Sequence, residues 1–332
     1  MNGIIGFDIG GANIKWFHSS GVASSVPFAI WKHPQLLAAA MNDVVTRLPT
    51  AARWAVTMTG EMADCFGNRE QGVRFIVAQV MDAARKVDCP DVRFYSSAGS
   101  FLSDIQAGKQ TANVASANWH ALAKWVASWI KRDALLIDVG TTTADIISLS
   151  PGIVETTSIT DHDRLRRGEL VYVGGKRTPV CALVQTLPLR GTEIPVMREV
   201  FANTGDCSLI LGWSDEDEND LDTCDGRPRT RIAAVNRLAH LIGLDYPEMT
   251  LADAEQISRY VMQCASDRIE KAIRQHRNTM NRQWILSGHA KGLIPSTFPS
   301  DSVDLMEQLG PDVARVGPAF AVCKLIELDR AR

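Results

Sequence analysis

Two short segments of this chain carry the residues best suited to chemistry. The first is Ile5-Gly6-Phe7-Asp8-Ile9-Gly10-Gly11-Ala12-Asn13-Ile14-Lys15. The second runs from Leu135 to Ile146 and includes Asp138, Gly140, Thr141, Thr142 and Thr143. In each, an apolar stretch ends in Asp, an apolar residue and Gly; small residues follow, then a second apolar stretch. Glycines in a tight turn let backbone N–H groups approach an anion closely. An Asp at each strand end can hold Mg²⁺, directly or through water, while phosphate oxygens complete the octahedron. Two such corners facing across a cleft would clamp a polyphosphate from both sides. This reading makes Asp8 and Asp138 metal ligands and Lys15 a neutralising cation. It makes Gly10, Gly11, Ala12, Asn13, Gly140, Thr141, Thr142 and Thr143 phosphate contacts. The same pattern also suits two ordinary hairpins with Asp as a turn residue.

The elements that must hold these residues follow from the apolar spacing. Ile4 to Ile9 and Asn13 to His18 read as strands joined by the Gly10-Gly11-Ala12 turn, with a third strand after Gly21 toward Ile30. Pro34 opens a helix to about Leu48, and Trp54 to Met58 reads as a buried strand. Val73, Ile76, Val77, Val80, Met81 and Ala84 predict a helix over Gly72–Val87, followed by a strand at Val92–Tyr95. An amphipathic helix spans about Val114 to Ile130, with Trp119, Leu122, Trp125, Val126 and Trp129 toward the core. At Ala134 the pattern restarts, with a strand to Gly140 and a return strand over Ala144–Leu149. Setting Asp8 on Asp138 superposes the two segments, a repeat of about 130 residues that suggests a duplicated domain. Residues 155–230 read as irregular, and the acidic run Asp215–Asp222 as a solvated loop. Helices resume at Thr230–Leu241 and Leu251–Arg277. Trp284–Ser287 is a strand leading to Gly288-His289, and Gly317–Leu328 is the last helix.

Composition narrows the function classes. A chain of 332 residues suggests two domains. A formal charge of −3 leaves no basic field for nucleic acid or an anionic membrane, so any anion site is local. No apolar run approaches the ~20 residues of a membrane helix, and the N-terminus does not read as a signal peptide. Seven scattered cysteines without a C-x-x-C pair fit a cytoplasmic thiol protein better than a disulfide scaffold. A zinc site from Cys207 and Cys224 is conceivable but lacks the usual pairing. No G-x-x-x-x-G-K-[ST], G-x-G-x-x-G after the first strand, G-x-S-x-G or H-E-x-x-H occurs.

The segment Ile5–Lys15 resembles the first phosphate motif of the sugar kinase/Hsp70/actin superfamily, and Leu135–Ile146 its second. Trp284-Ile-Leu-Ser-Gly288-His289-Ala290 resembles the adenosine motif, and Val316–Ala321 the last connecting helix. The order spans nearly the whole chain. Thr57–Asp64, Arg164–Gly174, Arg177-Thr-Pro179 and Thr223–Arg227 resemble the hydantoinase/oxoprolinase-like branch linked to tetrahydromethanopterin-dependent one-carbon metabolism. Archaeal members of that branch resemble a synthase of methanofuran biosynthesis. The resemblance implies an α/β fold of duplicated ribonuclease-H-like (actin-like ATPase) domains around a central cleft. The first domain would cover 1–133 and the second 134–332, with an insertion at about 155–230 and the C-terminal helix packing back on the first domain. The implied reaction joins a furan-methyl diphosphate to the phenol of a tyramine-type partner as an ether, with diphosphate leaving; bacterial relatives would make methylofuran.

A furfuryl diphosphate ionises because the furan oxygen stabilises the cation, so the protein must stabilise the departing diphosphate. Asp8, Asp138, Lys15 and the glycine corners suit that task. Glu61 and Asp64 are candidates for the base that takes the phenolic proton, although Glu61 is equally well a surface loop residue. Arg164, Arg167 and Arg177 could hold a carboxylate or the diphosphate in bidentate fashion, or form a solvated basic stretch. Asp225 and Arg227 join the substrate candidates, as do Gly288 and His289. Many superfamily kinases carry a second glycine where this chain has His289; a histidine there would crowd an adenine, which counts against ATP as a cofactor beside Mg²⁺. The alternatives are an ATP-dependent small-molecule kinase or hydrolase, and a non-enzymatic sugar-kinase-like regulator, which would want a helix-turn-helix or basic patch. The oligomeric state is not legible in the sequence.

Overall fold

The computed structural model describes residues 3–276, 279–288, 290–294 and 299–329. Its first sheet has the strand order β3-β2-β1-β4-β5-β6, from β1 (Gly3–Ile9), β2 (Asn13–His18), β3 (Ala23–Pro27), β4 (Ala51–Met58), β5 (Asp91–Tyr95) and β6 (Phe101–Leu102). β1 is antiparallel to β2 and parallel to β4. The second sheet repeats the plan. It comprises β7 (Ala134–Val139), β8 (Ala144–Ser150), β9 (Ile153–Val154), β10 (Leu170–Val171), β13 (Gln283–Gly288) and β14 (Val303–Asp304), ordered β10-β8-β7-β13-β14 with β9 on β8. β7 is antiparallel to β8 and parallel to β13. A small hairpin, β11 (Thr186–Leu189) with β12 (Thr192–Pro195), stands apart.

The central strands are apolar on both faces because both faces are covered. Ile5, Phe7 and Ile9 of β1 join Trp54, Val56 and Met58 in a core capped by the helices Leu37–Val45 and Arg69–Lys86. The opposite face, through Ile4 and Ala55, meets a core shared with Leu136, Ile147 and Ile285 of the second sheet. The helices Asn118–Trp129 and Gly317–Asp329 lie in that shared core. The second of them packs so closely on β1 that a Cβ on Gly6 would sit 1.9 Å from the Ala319 carbonyl oxygen. This sandwich fixes one sheet against the other.

Several elements differ from the sequence expectation. The third strand stops at Pro27, short of Ile30, yet the chain stays tied to the first corner: Phe28 N–H donates to Ala12 O and Ile30 N–H to Gly11 O. The helix expected from Val114 is broken. A turn at Thr111–Val114 ends at Ser116, whose φ is +49°, and the long helix starts at Asn118. Residues 155–230 are more ordered than their composition suggests. They hold the helices Asp161–Arg167, Val180–Leu183 and Thr204–Ile210 besides β10, β11 and β12, each too short for a clear apolar period. The helix from Leu251 ends at Gln275, and Arg277 lies outside the described residues. All seven cysteines are free. Burial pushes the Cys207 thiol up to about 12, which disfavours the thiolate zinc requires. No described helix is long and apolar enough to cross a membrane.

Candidate functional site

The two corners are built alike. Gly10 N–H donates to Asn13 O at 2.9 Å, and Gly140 N–H to Thr143 O at 2.9 Å. On the neighbouring antiparallel strand Asp8 stands opposite Lys15, and Asp138 opposite Asp145. On the parallel side Asp8 lies beside Thr57, and Asp138 beside Ser287. The copies therefore match position for position, but the residue facing the Asp has opposite sign in the two halves.

That difference sets the electrostatics. Asp8 is 1% exposed and pairs with Lys15 Nζ at 3.5 Å. Burial raises its pKa, and Lys15 opposes the rise. Asp8 Oδ1 and Thr57 Oγ1 are buried without a hydrogen-bond partner. Burial pushes Asp138 up to about 6; Asp145 and Asp8 add to the rise, against the Ser287 hydroxyl and Lys15. Lys15 and Asp8 of the first corner are the smallest of the influences on Asp138, after burial, Asp145 and Ser287. Asp145 is also raised by burial, with Arg164 opposing.

Crowded, raised carboxylates with an orphaned buried oxygen are a donor set that suits a hard divalent cation. Among the described residues no three His, Cys, Asp or Glu side chains form a ready-made metal cage. Mg²⁺ does not need one: it commonly keeps its waters and takes one or two carboxylates plus phosphate oxygens.

The helix Asp161–Arg167 supports the second corner. Thr160 caps its start by accepting from Asp163 N–H, and Gly168 ends it at φ +71°. Its Arg164 is 2% exposed and committed: the guanidinium pairs with Asp145, with Asp161 at 3.5 Å and with the Glu169 carbonyl at 3.2 Å, and lies 4.1 Å from the Trp119 ring centroid. It acts on Asp145 rather than facing open solvent. Arg167 is exposed at the helix end. Gly174-Gly175-Lys176-Arg177 clamps the second turn. Gly175 N–H donates to Gly140 O, and both Lys176 and Arg177 N–H groups donate to Thr141 O, each at 3.0 Å. Arg177 itself is exposed, 5.9 Å from the Trp31 ring centroid. Lys176 reaches Asp220 at 3.5 Å, so one residue of the acidic run is held to the corner's clamp.

Glu61 follows β4 and is 1% exposed, not a surface residue. Ser116 Oγ donates to its Oε1 at 2.9 Å, while Oε2 is buried with no partner. Burial first, then the charge of Asp161, raises its pKa. Asp161 also meets Arg69 at 3.8 Å, an ion pair joining the two halves. Asp64 is exposed. Asp225 accepts from Arg237 at 3.0 Å and from Arg227 N–H at 3.1 Å, and exposed Arg227 stays with it, so these two form a local knot around Arg237. Gly288 has φ +85°, and a Cβ there would lie 2.2 Å from the Val139 carbonyl oxygen. Gly288→Ala is therefore expected to cost about 1–3 kcal/mol, read as a lower Tm. His289 lies outside the described residues.

Sequence reasoning missed Asp145, Thr57, Ser287, Ser116, Asp161 and Trp31. The repeat contained the signal for Asp145, which sits seven residues after Asp138 as Lys15 does after Asp8.

Two sheets of one strand order, each ending its central strand in an Asp-x-Gly corner, define the duplicated ribonuclease-H-like fold of the actin-like ATPases. A solved acetone carboxylase, nucleotide-free and described as ATP-dependent, shares this fold at a TM-score of 0.53 and 9% identity, over 96% of this chain and 70% of that one. Within that class the chain belongs to the hydantoinase/oxoprolinase family, whose profile matches residues 53–292. It is 32% identical to (4-{4-[2-(gamma-L-glutamylamino)ethyl]phenoxymethyl}furan-2-yl)methanamine synthase of Methanocaldococcus jannaschii, over 98% of this chain and 97% of the relative. The Methanococcus vannielii protein of the same name is 26% identical over 62% of this chain and 96% of its own length.

Proposed function

We propose that this protein is a Mg²⁺-dependent transferase that joins an aminomethylfuran-methyl diphosphate to the phenol of a tyramine-type acceptor such as glutamyl-tyramine. The products are an aryl ether and diphosphate. The ether in the relative's name, a phenoxymethyl group on a furan methanamine, supports the substrates. The observation that supports the reading is the matched pair of Asp-x-Gly corners, with Asp8 Oδ1 buried and unpartnered and Lys15 beside it, which suits a cation and a polyphosphate held together.

In this reading Lys15 and the N–H groups of Gly11, Ala12, Thr142 and Thr143 bind the diphosphate as charge develops on it. Asp8 and Asp138 would hold Mg²⁺, and the chemistry that bound Mg²⁺ supplies is neutralisation of the leaving diphosphate. Glu61, with one oxygen fixed by Ser116 and the other unpartnered, is suited to take the phenolic proton. Glu61→Gln keeps the shape and loses the basicity, so kcat is expected to fall about 10²-fold or more with little change in diphosphate affinity. A kcat within threefold of wild type would remove Glu61 from this role.

The direct test incubates the protein with the aminomethylfuran-methyl diphosphate, glutamyl-tyramine and saturating Mg²⁺, following ether by mass spectrometry and diphosphate by a coupled assay. Both products are expected in equal amounts without ATP. Neither appearing, or product only with ATP, overturns the proposal in favour of the kinase or hydrolase alternative.

A further inference from the structure

Trp31 and Arg177 meet although they come from different halves of the molecule. Each is fixed by the backbone beside its own corner. Trp31 follows Ile30, which is fully buried and donates its N–H to Gly11 O; Cys65 Sγ donates to the Ile30 carbonyl. Arg177 donates its own N–H to Thr141 O and precedes buried Thr178, whose N–H reaches Thr204 Oγ1. Both side chains are exposed, Trp31 by 38%. A Cβ built on Gly11, whose carbonyl holds Ile30 N–H, would meet nothing within 4 Å, so this side of the first corner is open.

The pair crosses between the two halves beside both corners. A guanidinium normally takes a carboxylate, yet among the described residues Arg177 has none and leans on an indole face instead, 5.9 Å from its centroid. A guanidinium so placed is available for bidentate contact with phosphate oxygens. An indole face that attracts a cation offers the same attraction to any positive charge developing beside it, and most strongly where water is excluded.

We propose that Trp31 and Arg177 form the electrophile subsite. The furan of the diphosphate ester lies on the Trp31 face, and Arg177 leaves that face to hold a terminal phosphate. This inference rests on the transferase reading above. The step it serves is heterolysis. The methylene carbon–oxygen bond breaks, its electron pair departs with diphosphate, and the indole faces the furfuryl cation left behind. The phenol oxygen then forms the new bond to that carbon as its proton passes to Glu61. The exchange couples the two events: the cation already on the indole moves to the leaving group as a second cation forms in its place.

The test compares wild type with Trp31→Leu, Trp31→Phe and Arg177→Gln. Ether formation by wild type comes first; without it the transferase reading fails and this subsite with it. Given wild-type activity, Trp31→Leu is expected to lower kcat roughly tenfold or more, with the acceptor KM unchanged. Trp31→Phe should retain most of the rate, since a π face remains. Arg177→Gln should weaken inorganic diphosphate binding in calorimetry by about tenfold. The distinguishing readout is binding of furfurylammonium together with inorganic diphosphate, an ion pair resembling the separated charges. Wild type should bind the two cooperatively, and Trp31→Leu should lose the cooperativity while binding diphosphate alone normally. Trp31→Leu with wild-type kcat or intact cooperativity, or Arg177→Gln with unchanged diphosphate affinity, overturns the subsite while leaving the transferase reading standing.

Discussion

Asp138→Asn is expected to make the protein more heat-stable at neutral pH while abolishing product formation. Asp138 titrates near 6, raised by burial and by Asp145 and Asp8. An acid whose folded pKa lies above its unfolded value binds more protons when folded. Well below about pH 4 the side chain is neutral in both states and adds nothing. As pH rises through about 4–6 the unfolded chain ionises more readily, and stability falls; above pH 6 the full cost is present. After allowance for partial exposure that cost is on the order of 1–2 kcal/mol, which Asn removes, for a Tm gain of about 2–4 °C per kcal/mol.

Mg²⁺ should raise the Tm of wild type and not of the Asn variant, and the wild-type Mg²⁺ effect should fade as pH drops below 6. Thermal unfolding at pH 5 and 7.5, with and without Mg²⁺, tests all of this. A Tm for Asp138→Asn several degrees below wild type at pH 7.5 would show that the carboxylate is engaged rather than crowded.

The largest loss of stability is expected from Arg164→Met. The guanidinium is almost fully buried and serves Asp145, Asp161, the Glu169 carbonyl and the Trp119 face. Removing one partner of a buried pair leaves the other charge uncompensated, at a cost of about 3–5 kcal/mol. A Tm drop of about 10 °C follows for a chain of this size. Lys is not a substitute, because one ammonium cannot reach three acceptors and lacks the planar face stacked on Trp119. Adding Asp145→Asn to Arg164→Met should recover part of the loss, since the orphaned carboxylate is gone; a double-mutant cycle measures the coupling. Simple additivity would mean that Asp145 and Arg164 do not act as a pair.

These two results concern neighbouring parts of one chain of charges running Asp8, Lys15, Asp138, Asp145, Arg164, Asp161, Glu61. The first corner and its partner were legible because their signals are local: a glycine turn, an Asp at a strand end, a continuous apolar run. The repeat was legible because duplication preserved those local signals. Glu61 and Arg164 show where such reading runs out. One lies in a polar-looking loop and the other in a basic stretch, yet both are buried.

Their burial depends on partners far along the chain. Ser116 reaches Glu61 across 55 residues only because the chain turns to positive φ where a continuous helix was expected. Trp119 covers Arg164 only because its helix is held between the two sheets.

Residue types and spacing alone pointed to two strand-turn-strand corners and the Asp in each copy, since each depends on neighbours within a few residues; the duplicated α/β plan was suggested by their repeat and implied by the family resemblance. Which charges share a field, which arginine is buried and which faces outward, and that an indole from one half meets a guanidinium from the other were decided by packing. The helices Asn118–Trp129 and Gly317–Asp329 share one apolar core with strands of both sheets, and that long-range burial, invisible in any short window, holds the halves in register.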